Sequence, residues 1–187
     1  SQAHLLSVEY SKLTIEDSVG TGKMYFYAKD VAQNLFLAEN RSTIVINGGT
    51  FCYTGTNAMY CEMIKLSASD LVINDGYFDA QIGTPIKLDN GFAGGGLGTL
   101  NSTALINGGT IVTTSSIALS SIDGCDYYAS LVMTGGTITN KSKGRVTDKT
   151  GTIISDPYFV RVTSDEALQK KYYNITLLGG TMPLSPN

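Results

Sequence analysis

The sequence predicts an all-β fold, a parallel β-helix of about six coils, on three observations. A six-residue phrase recurs along the 187-residue chain, as "INGGTF" at 46–51, "INDGYF" at 73–78, "INGGTI" at 106–111 and "MTGGTI" at 133–138. Apolar-x-apolar triplets, the period-two mark of strands, lead into each glycine. Charged residues make up only 16% of the chain, while 21 glycines and abundant Ser, Thr and Asn suit many short strands and turns better than long helices.

The elements follow in order. Before Gly49, Gly76, Gly109, Gly136 and Gly180 lie Ile44 and Ile46, Leu71 and Ile73, Ala104 and Ile106, Leu131 and Met133, and Ile175 and Leu177. Two residues after each glycine a large apolar group returns, at Phe51, Phe78, Ile111, Ile138 and Met182, so the glycine marks a bend after which the chain points inward again. An earlier triplet opens each unit: "LFL" at 35–37, "IKL" at 64–66, "IKL" at 86–88, "IAL" at 117–119 and "VRV" at 160–162. "LSV" at 6–8 followed by "LTI" at 13–15 supplies a first unit, making six. A unit this short cannot bury its own apolar face, so units must stack, each Ile or Leu over its counterpart about 4.8 Å away. The whole chain, 1–187, reads as one β-helix domain, either a piece of a longer one or a protomer of an assembly.

The stretches "KLTIEDSVGTG" and "INGGTF" resemble the coils of single-stranded right-handed β-helices of the pectin-lyase-like class, found in bacterial surface proteins and phage tail proteins. The resemblance implies an extracellular, cell-surface or virion location. It does not choose among lyases, hydrolases, adhesins and stalks, because one fold hosts many functions.

Composition narrows the field. A net charge of −3 gives no general attraction to nucleic acid. No apolar run approaches the roughly 18 residues that span a bilayer and no signal peptide opens the chain, so membrane insertion is not expected. Cys52, Cys61 and Cys125 form neither a CxxC pair nor a dense disulfide framework; a Cys52–Cys61 bridge and plain thiols are both open. "VGTGKM" at 19–24 and "GGGLG" at 94–98 lack the context of a phosphate loop. The sequons at Asn40, Asn101, Asn140 and Asn174 matter only in a glycosylating host.

Two surfaces hold the binding candidates. The connections between first and second triplets are short in the first three units and long in the last three, and long loops gathered on one edge of a rigid stack form a natural binding surface. They carry Asp89, Asn90 and Phe92, then Asp123, Asp126, Tyr127 and Tyr128, then Lys170, Tyr172 and Tyr173. Tyrosine rings beside carboxylates and amides suit a polysaccharide or surface glycan, since a ring stacks on a pyranose while polar groups bind its hydroxyls. The second surface is the outward line of the first triplets, Ser7, Phe36, Lys65, Lys87, Ala118 and Arg161. There Lys65, Lys87 and Arg161 could hold an acidic polysaccharide, with Asp89 beside Lys87. Pectate lyases of the class it resembles place basic residues and calcium-binding carboxylates on such a face, but one Asp is too few for calcium. No metal or other cofactor is expected.

No paired-carboxylate signature of a glycoside hydrolase stands out, and the single histidine, His4, precedes the first unit. The leading reading is a non-enzymatic surface or virion module presenting loops for glycan or protein binding. A polysaccharide lyase or hydrolase and a purely structural spacer are the alternatives. The outward residues of the second triplets, Val45, Val72, Leu105 and Val132, form an apolar stripe that asks for a cover, either the segment 140–157 or another chain. With neither end of the stack capped, a homo-oligomer or larger assembly is expected.

Overall fold

The computed structural model describes residues 3–30, 32–56, 61–92, 99–121, 129–147, 153–163 and 173–183. Those residues form strands, turns and connections without a helix, and no helix is long and apolar enough to cross a membrane. The strands fall into six tiers. The first holds β1 (Ala3–Glu9), β2 (Lys12–Ile15) and β3 (Lys23–Ala28); the second β4 (Gln33–Glu39) and β5 (Thr43–Gly55); the third β6 (Glu62–Ser67) and β7 (Asp70–Ala80). The fourth holds β8 (Thr84–Phe92), β9 (Thr99–Leu100), β10 (Ser102–Ile106) and β11 (Thr110–Thr113), and the fifth β12 (Ile117–Ser121), β13 (Ala129–Met133) and β14 (Thr137–Asn140). A small hairpin, β15 (Val146–Thr147) and β16 (Ile153–Ser155), precedes the sixth tier, β17 (Val160–Thr163) and β18 (Tyr173–Leu177).

The fold is all-β and built on parallel sheets. One sheet runs β1-β4-β6-β8-β12-β17, every neighbour parallel. The other has β2 and β3 side by side on β5, β5 on β7, and then two lines, β10-β13-β18 and β11-β14, the latter extended by a bridge from Thr137 to Thr181. Counterparts in the repeat are register partners: Ile44 with Leu71, Leu71 with Ala104, Ala104 with Leu131, and Leu131 with Ile175. The alternation of apolar and polar residues puts the same face of every tier inward.

One outward position differs from the sequence expectation. Phe36 is not on the outer face; it is fully buried and meets Phe51 edge to face at 5.6 Å. Leu37 takes the outward place, as the register partner of both Ser7 and Lys65. The cause is a break in alternation: Leu35 and Phe36 are consecutive and both belong to the core, as do Met63 and Ile64 one tier on. The core carries an aromatic column there, Phe51 stacking on Phe78 at 4.9 Å and Phe26 on Tyr53 at 5.7 Å.

The repeated glycine is required twice over. Gly109 and Gly136 have φ of 81° and 82°, and a Cβ on either would lie 2.7 or 2.8 Å from a carbonyl oxygen of the tier below, Gly76 or Gly108. The second residue of each glycine phrase has its own role. The side-chain amide of Asn107 donates to Asn74 (2.8 Å), that of Asn74 to Asn47 (2.7 Å) and that of Asn47 to Glu16 (2.6 Å), while the Thr134 hydroxyl donates to Asn107 (2.7 Å). An exposed hydrogen-bond ladder thus runs up one corner through five tiers.

A second column, buried, fixes the opposite turns. The backbone N–H of Ser11, Ser42 and Ser69 each donates to the hydroxyl of the next tier's serine, Ser42, Ser69 and Ser102, at 3.2–3.3 Å. It stops at Ala129, the register partner of Ser102, which has no hydroxyl to offer.

The described residues of the segment 140–157 are pinned elsewhere than the apolar stripe. Buried Asn140 donates to the carbonyls of Asp156 and Tyr158, and the Ser155 hydroxyl to that of Thr114, so the hairpin hangs from the β11–β12 connection. Its side chain so occupied, Asn140 is closed to glycosylation in the folded chain. Cys52 and Cys61 are both free thiols, with no bridge between them, and Cys125 lies outside the described residues.

Candidate functional site

The outer face of the first sheet carries a connected cluster of lysines, carboxylates and an amide. Lys65 on β6 and Lys87 on β8 are register partners, as the repeat required. Neither is an unencumbered surface cation. The Lys87 ammonium lies 3.2 Å from Asp89 and 3.5 Å from Glu62, and Lys65 lies 3.9 Å from the same Asp89 carboxylate. Glu62 in turn accepts a hydrogen bond from the side-chain amide of Asn34 on β4 at 2.9 Å, while that amide also donates to the Glu62 carbonyl at 2.9 Å. Asn34, Glu62 and Asp89 are buried.

Glu62 and Asn34 were missed from sequence because each lies outside its triplet, and alternation from Ile64 and Leu66 assigns Glu62 to the interior. The paired core residues, Leu35–Phe36 and Met63–Ile64, shift the frame by one and bring both polar groups to the outer face. The visible signal is a shared pattern, a polar residue before two apolar ones, in "NLF" and "EMI".

Electrostatics hold the cluster together. Burial alone would lower the Lys87 pKa, but Asp89 first and Glu62 second, by charge and by hydrogen bond, outweigh it and leave the ammonium raised above the ordinary lysine range. Asn34, Glu62, Lys65 and Lys87 line an open cleft of about 430 Å³ with His4, Ser7, Ala32, Leu37 and Glu39. His4, expected ahead of the first unit, is instead part of β1, the register partner of Asn34, and its buried Nδ1 has no hydrogen-bond partner. The cleft crosses four consecutive strands, β1, β4, β6 and β8, so its long axis follows the stack.

Arg161 occupies the expected place in the same ladder, two strands beyond Lys87 through Ala118. It does not join the cleft. Its Nη1 lies 3.6 Å from the fully buried carboxylate of Asp156, which also receives the Ser116 hydroxyl at 3.5 Å, and its buried Nε has no hydrogen-bond partner. The continuous basic strip expected from Lys65, Lys87 and Arg161 is therefore two separate charge-compensated groups. Among the described residues no group of three or more His, Cys, Asp or Glu is placed to hold a metal ion.

The loop candidates divide. Asn90 and Phe92 lie in β8, with Asn90 in register with Ser121 and Phe92 with Thr99 of the short antiparallel β9. Tyr173, at the start of β18, is partly buried and packs against the hydrophobic core. Asp123, Asp126, Tyr127, Tyr128, Lys170 and Tyr172 lie outside the described residues. On the second sheet Val45, Val72, Leu105 and Val132 are successive register partners and half-buried, flanked by Thr14 and Thr176. Compared with known proteins, the chain matches no family model, no curated protein and no solved structure.

Proposed function

We propose that the two parallel sheets are faces of a right-handed β-helix and that this helix is a non-catalytic glycan-binding module of a cell surface or virion, with its ligand in the β1-β4-β6-β8 cleft. The observation that carries this reading is the composition of the cleft. Two lysines and the carboxylates of Glu39 and Glu62 line a recess that also offers an amide, a hydroxyl and an imidazole, with Asp89 paired to both ammonium groups from beside it. Preset donors and acceptors with little net charge favour a hydroxyl-rich neutral ligand over a polyanion.

Cleavage is the weaker reading on the same grounds. A lyase needs a neutral base to take a proton beside a carboxylate, and Lys87, its pKa raised, is protonated at neutral pH. Glu62 and Asp89 are both engaged by Lys87, which leaves neither poised as the acid of a hydrolase.

Electrophoresis through native gels holding neutral or acidic polysaccharides tests the assignment. Retardation by a neutral polysaccharide, abolished by Ser7→Trp at the exposed mouth of the cleft, is the expected result. Migration unaltered in every gel defeats the glycan reading; retardation by acidic polymers alone restores the basic strip; cleared zones turn the protein into an enzyme.

A further inference from the structure

The sixth tier exposes what the tiers immediately beneath it bury. Val162, Ile175 and Leu177 are register partners of Leu119, Leu131 and Met133, whose exposures are 0%, 0% and 1%. Their own exposures are 43%, 41% and 55%. These are inward residues of the same columns, uncovered because β17 and β18 are the last strands of their sheets among the described residues. At the opposite end β1, β2 and β3 are the edge strands, and their inward residues Leu6, Leu13, Ile15, Met24 and Phe26 are only partly buried.

We propose that the β17/β18 edge docks the β1/β2/β3 edge of a second copy of this chain, so that the two stacks continue head to tail. Three features select that occupant. The first is strand direction. Both sheets are parallel throughout their main ladders, so an opposite edge can add with unbroken direction and the same face inward, giving each edge backbone its missing partners. A two-fold pairing of like ends would either run the strands antiparallel or turn the inner faces outward.

The second feature is the apolar columns. Val162 would meet Val8, and Ile175 and Leu177 would meet Leu13 and Ile15, continuing the registers found inside the chain.

The third is charge. Lys65 reaches Asp89, which lies two residues beyond its register partner Lys87 on the following strand. In the ladder of outward residues the place after Arg161 belongs to Ser7 of the next copy, and two residues beyond Ser7 is Glu9. Arg161 and Glu9 of the second copy would therefore stand in the same diagonal as Lys65 and Asp89, and the buried Arg161 Nε has no hydrogen-bond partner within the chain. Glu9 is exposed.

A contact between unlike surfaces leaves each end free to add another copy, so association should be open-ended. The test uses one block for each end, Leu177→Glu at one and Glu9→Lys at the other, both at exposed positions. Sedimentation equilibrium of the parent chain should give an average mass that rises over about a hundredfold range of concentration, while each variant alone associates about tenfold or more weakly. Mixing the two variants should yield a one-to-one dimer that grows no further, since the two competent edges pair with each other and only the two blocked edges remain. Unchanged circular dichroism and melting temperature would show that both variants fold. A parent chain monomeric at every concentration overturns the proposal, and so does a Glu9→Lys variant that associates as well as the parent.

Discussion

Ile73 in the third tier and Ile175 in the sixth hold inward positions on the same sheet, yet they stand in different surroundings. Ile73 lies between Ile46 and Ile106 and is fully buried, whereas Ile175 has Leu131 on one side and a large fraction of its surface open on the other. Sequence alone does not separate them, because both belong to apolar-x-apolar triplets before a glycine. A tier's stability is set by the tiers on each side of it, as in repeat proteins generally. The interior of this molecule is strong and its ends are weak for that reason.

Paired substitutions, one interior and one terminal, put numbers on the contrast. The largest gap is expected at glycine. In Gly136→Ala the new Cβ would lie 2.8 Å from the Gly108 oxygen in a left-handed residue, costing about 3–5 kcal/mol between backbone strain and overpacking. Gly20, in the first tier, has a similar φ but open space, so Gly20→Ala should cost about 1 kcal/mol by denaturant unfolding. Equal costs would mean that neighbouring tiers do not crowd the corner.

Next comes the apolar column. Ile73→Ala should remove about 3 kcal/mol, and Ile175→Ala about 1 kcal/mol or less while the edge remains open. Should self-association occur, the Ile175 penalty should grow with protein concentration, which an unfolding series at several concentrations would read.

Alkaline pH offers a third probe. Burial first, and then the charge and hydrogen bond of Cys61, push the Tyr53 phenol above the ordinary tyrosine range, and its hydroxyl donates to the Gln33 carbonyl. The fold holds the neutral form. This contribution to stability is complete below the unfolded value of about 10 and is lost as the pH rises above it. Absorbance titration should find Tyr53 ionising only as the protein unfolds. In Tyr53→Phe the alkaline loss should shrink, at a cost of about 1 kcal/mol at neutral pH from the missing hydrogen bond.

The smallest contrast is on the exposed ladder. Asn74→Ala breaks two side-chain bonds and should cost about 1 kcal/mol; Glu16→Ala, at the end of the line, breaks one and should cost about half that.

The parallel ladders were legible because Ile44, Leu71 and Leu131 repeat at matching distances before a glycine, and period two leaves little choice of face. The frame at Phe36 was not, since "LFLA" supports either phase and only packing against Phe51 decides it. For the cleft, the lysines could be read from two identical "IKL" triplets, while their counter-ion Glu62 could not, because it enters the outer face through a break in alternation. Glycine was understood as a bend that tolerates close backbone approach; which carbonyl approaches, that of the tier below, depends on residues some thirty positions away and has no local mark.

The asparagine ladder also carries a chemical clock. Asn47 and Asn107 each precede a glycine, the pairing in which the following backbone nitrogen most readily closes on the amide and expels ammonia. Each such loss exchanges a donor for a carboxylate facing the oxygen of a neighbour, Glu16 below Asn47 or Asn74 below Asn107. The native stack holds those nitrogens in fixed strands and turns, so ageing should be slow in the folded protein and fast once the corner opens. A molecule that loosens would thus acquire an acidic scar at the corner that defines its repeat, making the isoelectric pattern of an old sample a record of how often its tiers had parted.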